Sequence, residues 1–490
     1  MKQLQDIEHM DFAFEWGERA SLWLHDFFSY AFIHQDDLPW NQVSNSIMFV
    51  INPDISGGYV KSDEFKARGL KHGLFFIDKK RIPWLIERYD QILARLDNYL
   101  KNTEKTDFSG MSRQELLPFF KEFARISNET CQWYRGTRQE AEIEAKKIVK
   151  RTIARYFPES QTDDIFNVLT LSPYSNPIKE ENYGWLELLK KQADNKDFKN
   201  HIRKHSMFFT NIYTKEELMD TIKKRYGQDK KKLEHIENEK KEADRKTAEL
   251  KKKQENYLDS INEDIMPYLT LFHRFGEYRF RLKPGYAGIE VMSLDMLSRI
   301  GELAGMSVKD MHELLTIRET LIFLKTGELP SKDVIKDREK CRVYIVREKK
   351  QIILQGDKGI EFLDKTIFSK KRDAKELKGT PACHGYAKGR VKLVLSNQMD
   401  EIQKVSKEFK KGDILVSHNT QPNMVPLVAK AAAIVTAQGG LISHSAVVSR
   451  EYGIPCIVGI DSVTLYLKDG DFIEVDATKG IVRKIESNQE

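Results

Sequence analysis

Between residues 80 and about 325 apolar residues return every three or four positions, whereas from residue 376 they come in short runs broken by glycine. One chain with two periods predicts two kinds of architecture, a helical body followed by an α/β domain. Helices are expected at 82–100, 113–135, 140–156, 185–192, 268–281 and 294–315. Beyond 376, strands are expected at 389–395, 413–416, 433–436, 456–458, 472–475 and 481–485, with helices at 399–409, 423–431 and 445–452.

The flanks of the helical stretch are less regular. Trp16, Trp23, Phe27, Phe28, Tyr30 and Phe32 have roughly helical spacing and read as core. Residues 46–51, 57–60 and 74–77 read as strands between Asn52-Pro53 and glycine turns. Gly57-Gly58 lacks the Lys-Ser/Thr of a phosphate loop and reads as a turn. Residues 215–262 are dense in both signs of charge, with Ile236, Ala243, Leu250 and Tyr257 seven apart and Lys240, Thr247, Gln254 and Ile261 on the alternate seam. Such a weak stripe suits packing on its own chain better than a dimeric coiled coil, and predicts a long, mostly solvated helix forming a charged, protruding arm. Residues 341–365 alternate as two strands around a charged turn, and the polar run 369–378 reads as a hinge.

Composition narrows the classes. A chain of 490 residues with 40% hydrophobic residues has room for several cores. No run approaches the ~18 apolar residues of a membrane span, and the first residues lack a signal-peptide core, so a cytoplasmic protein with no membrane role is expected. A net charge of +6 over so many charged residues is slight. Without a basic stripe interleaved with aromatics, nucleic-acid binding is not expected. Cys131, Cys341, Cys383 and Cys456 are scattered without a CxxC pair, which argues against a disulfide framework and a structural zinc site; no metal ligands are expected.

The chemistry concentrates in 439–459. An apolar run at 431–436 leads to Gly439-Gly440, then His444, then a helical spacing stopped by Gly453 and Pro455. His444 therefore stands where a glycine turn enters a helix. The first turn of a helix has unpaired N–H groups and the positive end of the macrodipole, so it favours an anion such as a phosphoryl group on the imidazole. Gly439 and Gly440 permit close backbone approach, and Ser443 and Ser445 have hydroxyls for capping or for phosphate oxygens. Imidazole is a competent nucleophile near neutral pH. A helix-capping or core role for His444 remains the alternative on spacing alone.

The segment resembles the phosphohistidine, or swivelling, domain of the phosphoenolpyruvate-utilising enzymes: pyruvate phosphate dikinase, phosphoenolpyruvate synthase and rifampicin phosphotransferase. The resemblance runs through Gly379-Thr-Pro-Ala-Cys-His-Gly-Tyr-Ala-Lys-Gly-Arg-Val, Gly412-Asp-Ile-Leu-Val, Thr420 with Pro422, Gly439-Gly, Ser443-His444, Ser449-Arg-Glu-Tyr-Gly-Ile-Pro and Asp469-Gly470. It implies that His444 is the phosphorylated residue and Arg450 a partner of its phosphate. Ile442 departs from the dikinases' threonine and Ser445 from the usual alanine. Looser similarity upstream, through 201–208, 277–281 and 313–321, implies an acceptor-binding role for the helical part. His201, Arg279 and Arg338 are candidates for holding a polar or anionic acceptor, with exposed or salt-bridged structural roles open for each.

The expected fold is therefore multidomain, mostly α-helical in its N-terminal and central regions, with a C-terminal α/β phosphohistidine domain. Its expected divisions are an aromatic-rich α+β segment (1–110), a helical acceptor-binding domain (111–340) bearing the arm, a hairpin and hinge (341–378), and the phosphohistidine domain (379–487). The resemblance also implies an ATP-grasp module, for which no counterpart is found in the sequence. Hence the expectation is a phosphotransferase component charged in trans by an ATP-grasp subunit that holds ATP and Mg2+, an arrangement resembling the two-subunit phenylphosphate synthase. A small-molecule acceptor then takes the phosphoryl group. The alternative is a non-catalytic helical binding or regulatory protein with a vestigial phosphohistidine domain.

Overall fold

The computed structural model describes the chain except for residues 1–11, 17–20, 34–45, 52–55, 62–73, 138–142, 173–176, 369–375, 396–398, 421–423, 439–443, 461–462 and 486–490, and residues 76, 211, 263 and 348–349. Backbone contacts divide it into two units: residues 21–45 with 64–331, and residues 1–20 with 46–63 and 332–490.

The first unit is helical. Helices Arg81–Lys105, Arg113–Tyr134 and Met266–Arg281 supply much of its core. Tyr89 stacks on Tyr278 with ring centres 4.6 Å apart, and Trp133 meets Tyr89 edge-on at 5.2 Å. Capping boxes fix several helix starts, with Ser112 and Glu115, Asp194 and Asp197, and Thr316 and Glu319 each exchanging side-chain and backbone bonds. The charged stretch forms helix Lys215–Asp229, a short 3₁₀ turn and helix Leu233–Leu258. The latter does not stand clear as an arm; it lies along helices Thr162–Thr170 and Pro177–Lys190. Its seam is polar: the Gln254 amide donates to the carbonyls of Val168 and Leu171 at 2.8 Å, and Tyr257 packs edge-on to Phe157.

The second unit holds two sheets. Strands β1 (Phe12–Trp16), β2 (Ser46–Ile51), β3 (Ser56–Lys61), β4 (Arg342–Arg347) and β5 (Lys350–Gln355) form an antiparallel sheet in the order β1-β3-β2-β4-β5. The register sets Met48 against Ile345 and Val50 against Val343. This pairing corrects the expected division: 1–110 is not one segment, because its strands join the 342–355 hairpin while helices Leu22–Ile33 and Arg81–Lys105 belong to the helical unit. Local periodicity finds the strands but not a partner nearly three hundred residues away. Three local readings also change: the second strand expected within 341–365 stops at Gln355, and Gly356–Leu363 is helix. Trp16 ends a strand rather than joining a helix, and Leu74 and Phe75 are helical rather than extended.

The larger sheet comprises β6 (Leu377–Lys378), β7 (Thr380–Cys383), β8 (Tyr386–Val394), β9 (Ile414–Ser417), β10 (Ala433–Thr436), β11 (Cys456–Val458), β12 (Phe472–Asp476) and β13 (Ile481–Lys484). Their order is β6-β13-β12-β8-β9-β10-β11-β7, with β8 to β11 mutually parallel and the flanking pairs antiparallel. Strands β9, β10 and β11 are buried at every position, which is why they read as unbroken apolar runs. One face packs Leu415, Ile434, Cys456 and Val458 beneath Ala446 and Val448. The other face joins the core that includes Met48 and Val343 of the smaller sheet. The expected hinge at 369–378 falls mostly outside the described residues; its end, Leu377–Lys378, is strand β6 paired to β13.

Candidate functional site

Helix His444–Tyr452 follows β10, and His444 is its first residue. Gly439, Gly440 and Ser443 lie outside the described residues. The helix is fixed from below: Ala446 and Val448 are buried, the Ile454 N–H donates to the Ser449 carbonyl at 2.9 Å, and the Ile434 N–H donates to the Pro455 carbonyl at 2.9 Å. Gly453, at φ +65°, takes the left-handed conformation that ends it.

Ser445, expected as a phosphate donor, is buried, with its hydroxyl 2.9 Å from that of Thr420. The Arg450 Nε donates to the Ala446 carbonyl at 2.8 Å from an exposed position on the same helix. Spacing did not single out His418. It follows β9 and is buried, its carbonyl accepts the Gln438 N–H at 2.8 Å, and burial lowers its imidazole pKa to about 4. Its ring Nδ1 lies 3.4 Å from the Thr464 hydroxyl.

In the helical unit, His201 sits on helix Asn195–Lys204 and is buried. Its Nε2 lies 3.1 Å from Glu181 Oε1, and Arg225 forks onto the same carboxylate at 2.6 and 3.3 Å. Burial raises the Glu181 pKa, but hydrogen bonds from His201 and Arg225 outweigh it and hold the carboxyl at about 2. The guanidinium of Arg225 lies over Trp185, 4.0 Å from the ring centre. Arg279 donates through Nε to the Thr137 carbonyl at 2.8 Å. Arg338 is buried in the other unit, its Nε donating to Gln355 Oε1 at 3.1 Å. The three acceptor candidates are therefore not one constellation. Each already holds a structural bond, and Arg338 does not belong to the helical body at all.

Chain neighbours of His201 and Arg279 do line a cavity. Arg203, Lys204 and His205 follow His201, and Phe280 and Arg281 follow Arg279, on the wall of a cleft of about 670 Å³. Leu93, Leu96, Leu100 and Phe208 make it largely apolar, while Lys101 adds a further cation. His205 is 3% exposed, its Nε2 has no hydrogen-bond partner, and its ring centre lies 4.7 Å from that of His201. Burial, then the adjacent His201, lowers its pKa to about 4, so it is neutral at pH 7.

Residues 409–480 match the family described as PEP-utilising enzyme, mobile domain. The match takes in strands β9 to β12 and the helix that opens at His444. The chain is similar to phosphoenolpyruvate synthase of Aeropyrum pernix, 39% identical over 132 residues covering 24% of this chain and 16% of that protein. A probable phosphoenolpyruvate synthase of Archaeoglobus fulgidus is 44% identical over 138 residues, covering 26% of this chain and 18% of its own. The rifampicin phosphotransferase of Bacillus cereus is 25% identical over 283 residues, covering 58% of this chain and 30% of its own. The chain thus spans less than a third of the length of these relatives.

His444, Ser445 and Arg450 all fall within the matched mobile domain. A helix of nine residues opening at His444 provides N–H groups and a positive dipole end for an anion there. The helix that opens at His444 is legible in the sequence because glycine and a helical run are local signals. Sequence reasoning missed Glu181 and Arg225, which meet His201 only through the packing of three helices, and His205, which lies one helical turn after His201. Among the described residues no helix is long and apolar enough to cross a membrane.

Proposed function

We propose that this chain is a phosphotransferase component in which His444 transiently carries a phosphoryl group and passes it to a small-molecule acceptor. The observation that carries the reading is the position of His444 as the first residue of a helix inside the mobile domain. In the first half-reaction an imidazole nitrogen attacks phosphorus, the N–P bond forms and the phosphoanhydride P–O bond breaks. In the second, the acceptor oxygen forms the new O–P bond as the N–P bond breaks, and the hydroxyl proton leaves to a base.

ATP and Mg2+ belong, in this proposal, to a separate ATP-grasp subunit. Among the described residues no group of three His, Cys, Asp or Glu side chains could hold a metal. The acceptor is assigned to the cleft beside His205. Its apolar walls suit an apolar body, and Lys204, beside the Lys101–Asp97, Arg203–Glu104 and Arg281–Glu180 pairs, suits the phosphorylated product.

The test pairs the full chain with the ATP-grasp subunit and radiolabelled ATP, labelled at the β or the γ position. Acid-labile, alkali-stable label is expected on the wild type and not on His444→Ala. Label that persists on His444→Ala, or none in any pairing, would overturn the proposal.

A further inference from the structure

Cys383 and Cys456 are far apart in sequence and directly opposed in the fold. Strand β7 runs antiparallel to β11, and the register sets Cys383 against Cys456. Opposed residues of an antiparallel pair have Cα atoms roughly 4.5–5.5 Å apart, inside the roughly 4.4–6.8 Å range that a disulfide spans. The side chains share a face as well. The register then slips, with Ile457 facing Pro381, which leaves Ala382 as the extra residue of a bulge. Ala382 and Cys383 thereby both pack against the core layer that holds Cys456.

We infer that Cys383 and Cys456 are a redox-modified pair that closes to a disulfide under the helix bearing His444. Both cysteines are free thiols in this structure. Cys456 Sγ lies 3.8 Å from the Ser445 carbonyl, one residue from His444 and in the same first turn. Helix His444–Tyr452 packs on both β7 and β11, the two strands that the bond would tie.

The two sulfurs have different tasks. Cys383 is half-buried and meets solvent, so it is the one oxidised by a hydroperoxide: its thiol takes the terminal oxygen, giving a sulfenic acid and, from hydrogen peroxide, water. Cys456 is fully buried, which shields it from oxidants in solvent. It then displaces the sulfenic oxygen: the S–S bond forms, the S–O bond breaks, and the hydroxide leaves with the Cys456 proton as water. Two thiols and one peroxide give one disulfide and two waters. A dithiol reverses the step by exchange. Closing the bond draws Sγ from the Ser445 carbonyl and locks the floor of the first turn.

The consequence for phosphorylation rests on the function proposed above; formation of the bond does not. The full chain is treated with hydrogen peroxide, remaining thiols are alkylated in denaturant, and peptides are mapped by mass. A peptide pair joined through Cys383 and Cys456 is expected in the wild type, absent in Cys383→Ser and lost on treatment with dithiothreitol. Stable sulfinic acid at Cys383 with Cys456 alkylated, or only bonds between molecules, would overturn the pair. In a second arm, the oxidised wild type is expected to incorporate phosphate at His444 roughly fivefold more slowly, the effect of one lost hydrogen bond, with dithiothreitol restoring the rate and peroxide leaving Cys383→Ser unchanged. Equal rates with the bond formed would overturn the regulatory half. No label in the reduced protein would count against the phosphotransfer reading, while the peptide map still decides the pair.

Discussion

Ser445 and Thr420 meet hydroxyl to hydroxyl at 2.9 Å, both shut away from solvent, at the base of the helix that His444 opens. The bond ties the loop after β9 to the first turn of that helix. It makes Ser445 a positioning residue whose hydroxyl points into the protein. Ser445→Ala is therefore expected to cost about 1 kcal/mol in urea unfolding while leaving label at His444 intact. A double-mutant cycle with Thr420→Ala should return a coupling of about 0.5 kcal/mol or more. Loss of label at unchanged stability would instead give the serine a direct role on the phosphate.

Charge at the rim of the helical cleft gives a second prediction. Lys204 lines the cleft next to His205 and is exposed. Lys204→Glu reverses one charge there without disturbing a buried contact, so folding should change by less than about 0.5 kcal/mol. With the cleft as the acceptor site, transfer from phosphorylated His444 to acceptor should slow roughly fivefold, and charging of His444 should not change. Transfer measured by loss of label after mixing with acceptor separates the two steps. A variant that transfers normally would move the acceptor elsewhere.

Acid sensitivity follows from three buried imidazoles. His205 and His418 are lowered to about 4, and His312 to about 3, in each case chiefly by burial. An unfolded histidine titrates near 6.5, so between that value and the folded pKa the unfolded chain binds more protons and stability falls as pH falls. Each group should cost about 2 kcal/mol at pH 5 relative to pH 7.5. His312 packs on Trp23 and Tyr213 with ring centres 5.0 and 5.5 Å away, and its Nδ1 has no hydrogen-bond partner. His312→Phe should flatten the profile, narrowing or reversing the gap to wild type at pH 5. Parallel pH profiles for the two proteins would refute this assignment.

What the chain discloses before folding depends on the range of the interaction. The helix opening at His444 and the buried runs of β9 to β11 are written in adjacent residues, and the structure has them within a residue or two, whereas the hairpin expected over 341–365 ends at Gln355. The pairing of β2 with β4 is not, since either strand alone is compatible with many partners. The same holds for side chains. The serine at 445 has the residue type of a phosphate donor, and only the tertiary position of Thr420 turns it inward. His201 looks like a ligand group until Glu181, twenty positions earlier, is brought against it. Cys383 and Cys456 look scattered until two strands set them face to face.

That buried pairing of His201 and Glu181 supports the last prediction. The Glu181 carboxylate accepts from both His201 and Arg225, and Arg225 in turn stacks on Trp185, whose indole N–H donates to Asp229 at 3.0 Å. Removing the carboxylate does not strand Arg225 completely, because Asp229 already lies 3.6 Å from its Nε. His201, by contrast, loses the partner of its Nε2 inside the core. Glu181→Ala should therefore cost about 2–3 kcal/mol, below the full penalty of an isolated buried charge, and Glu181→Gln should cost less because it can still accept from both. The acid limb provides an independent check. A carboxyl held at about 2 in the folded state, against an ordinary value of 4.5, adds stability that is present above pH 4.5 and is lost as pH falls towards 2. Glu181→Gln has no such group to titrate, so its unfolding free energy should converge on that of the wild type across this window. Should the two curves stay the same distance apart from pH 5 to pH 2, the carboxylate is not what holds His201 and Arg225 together.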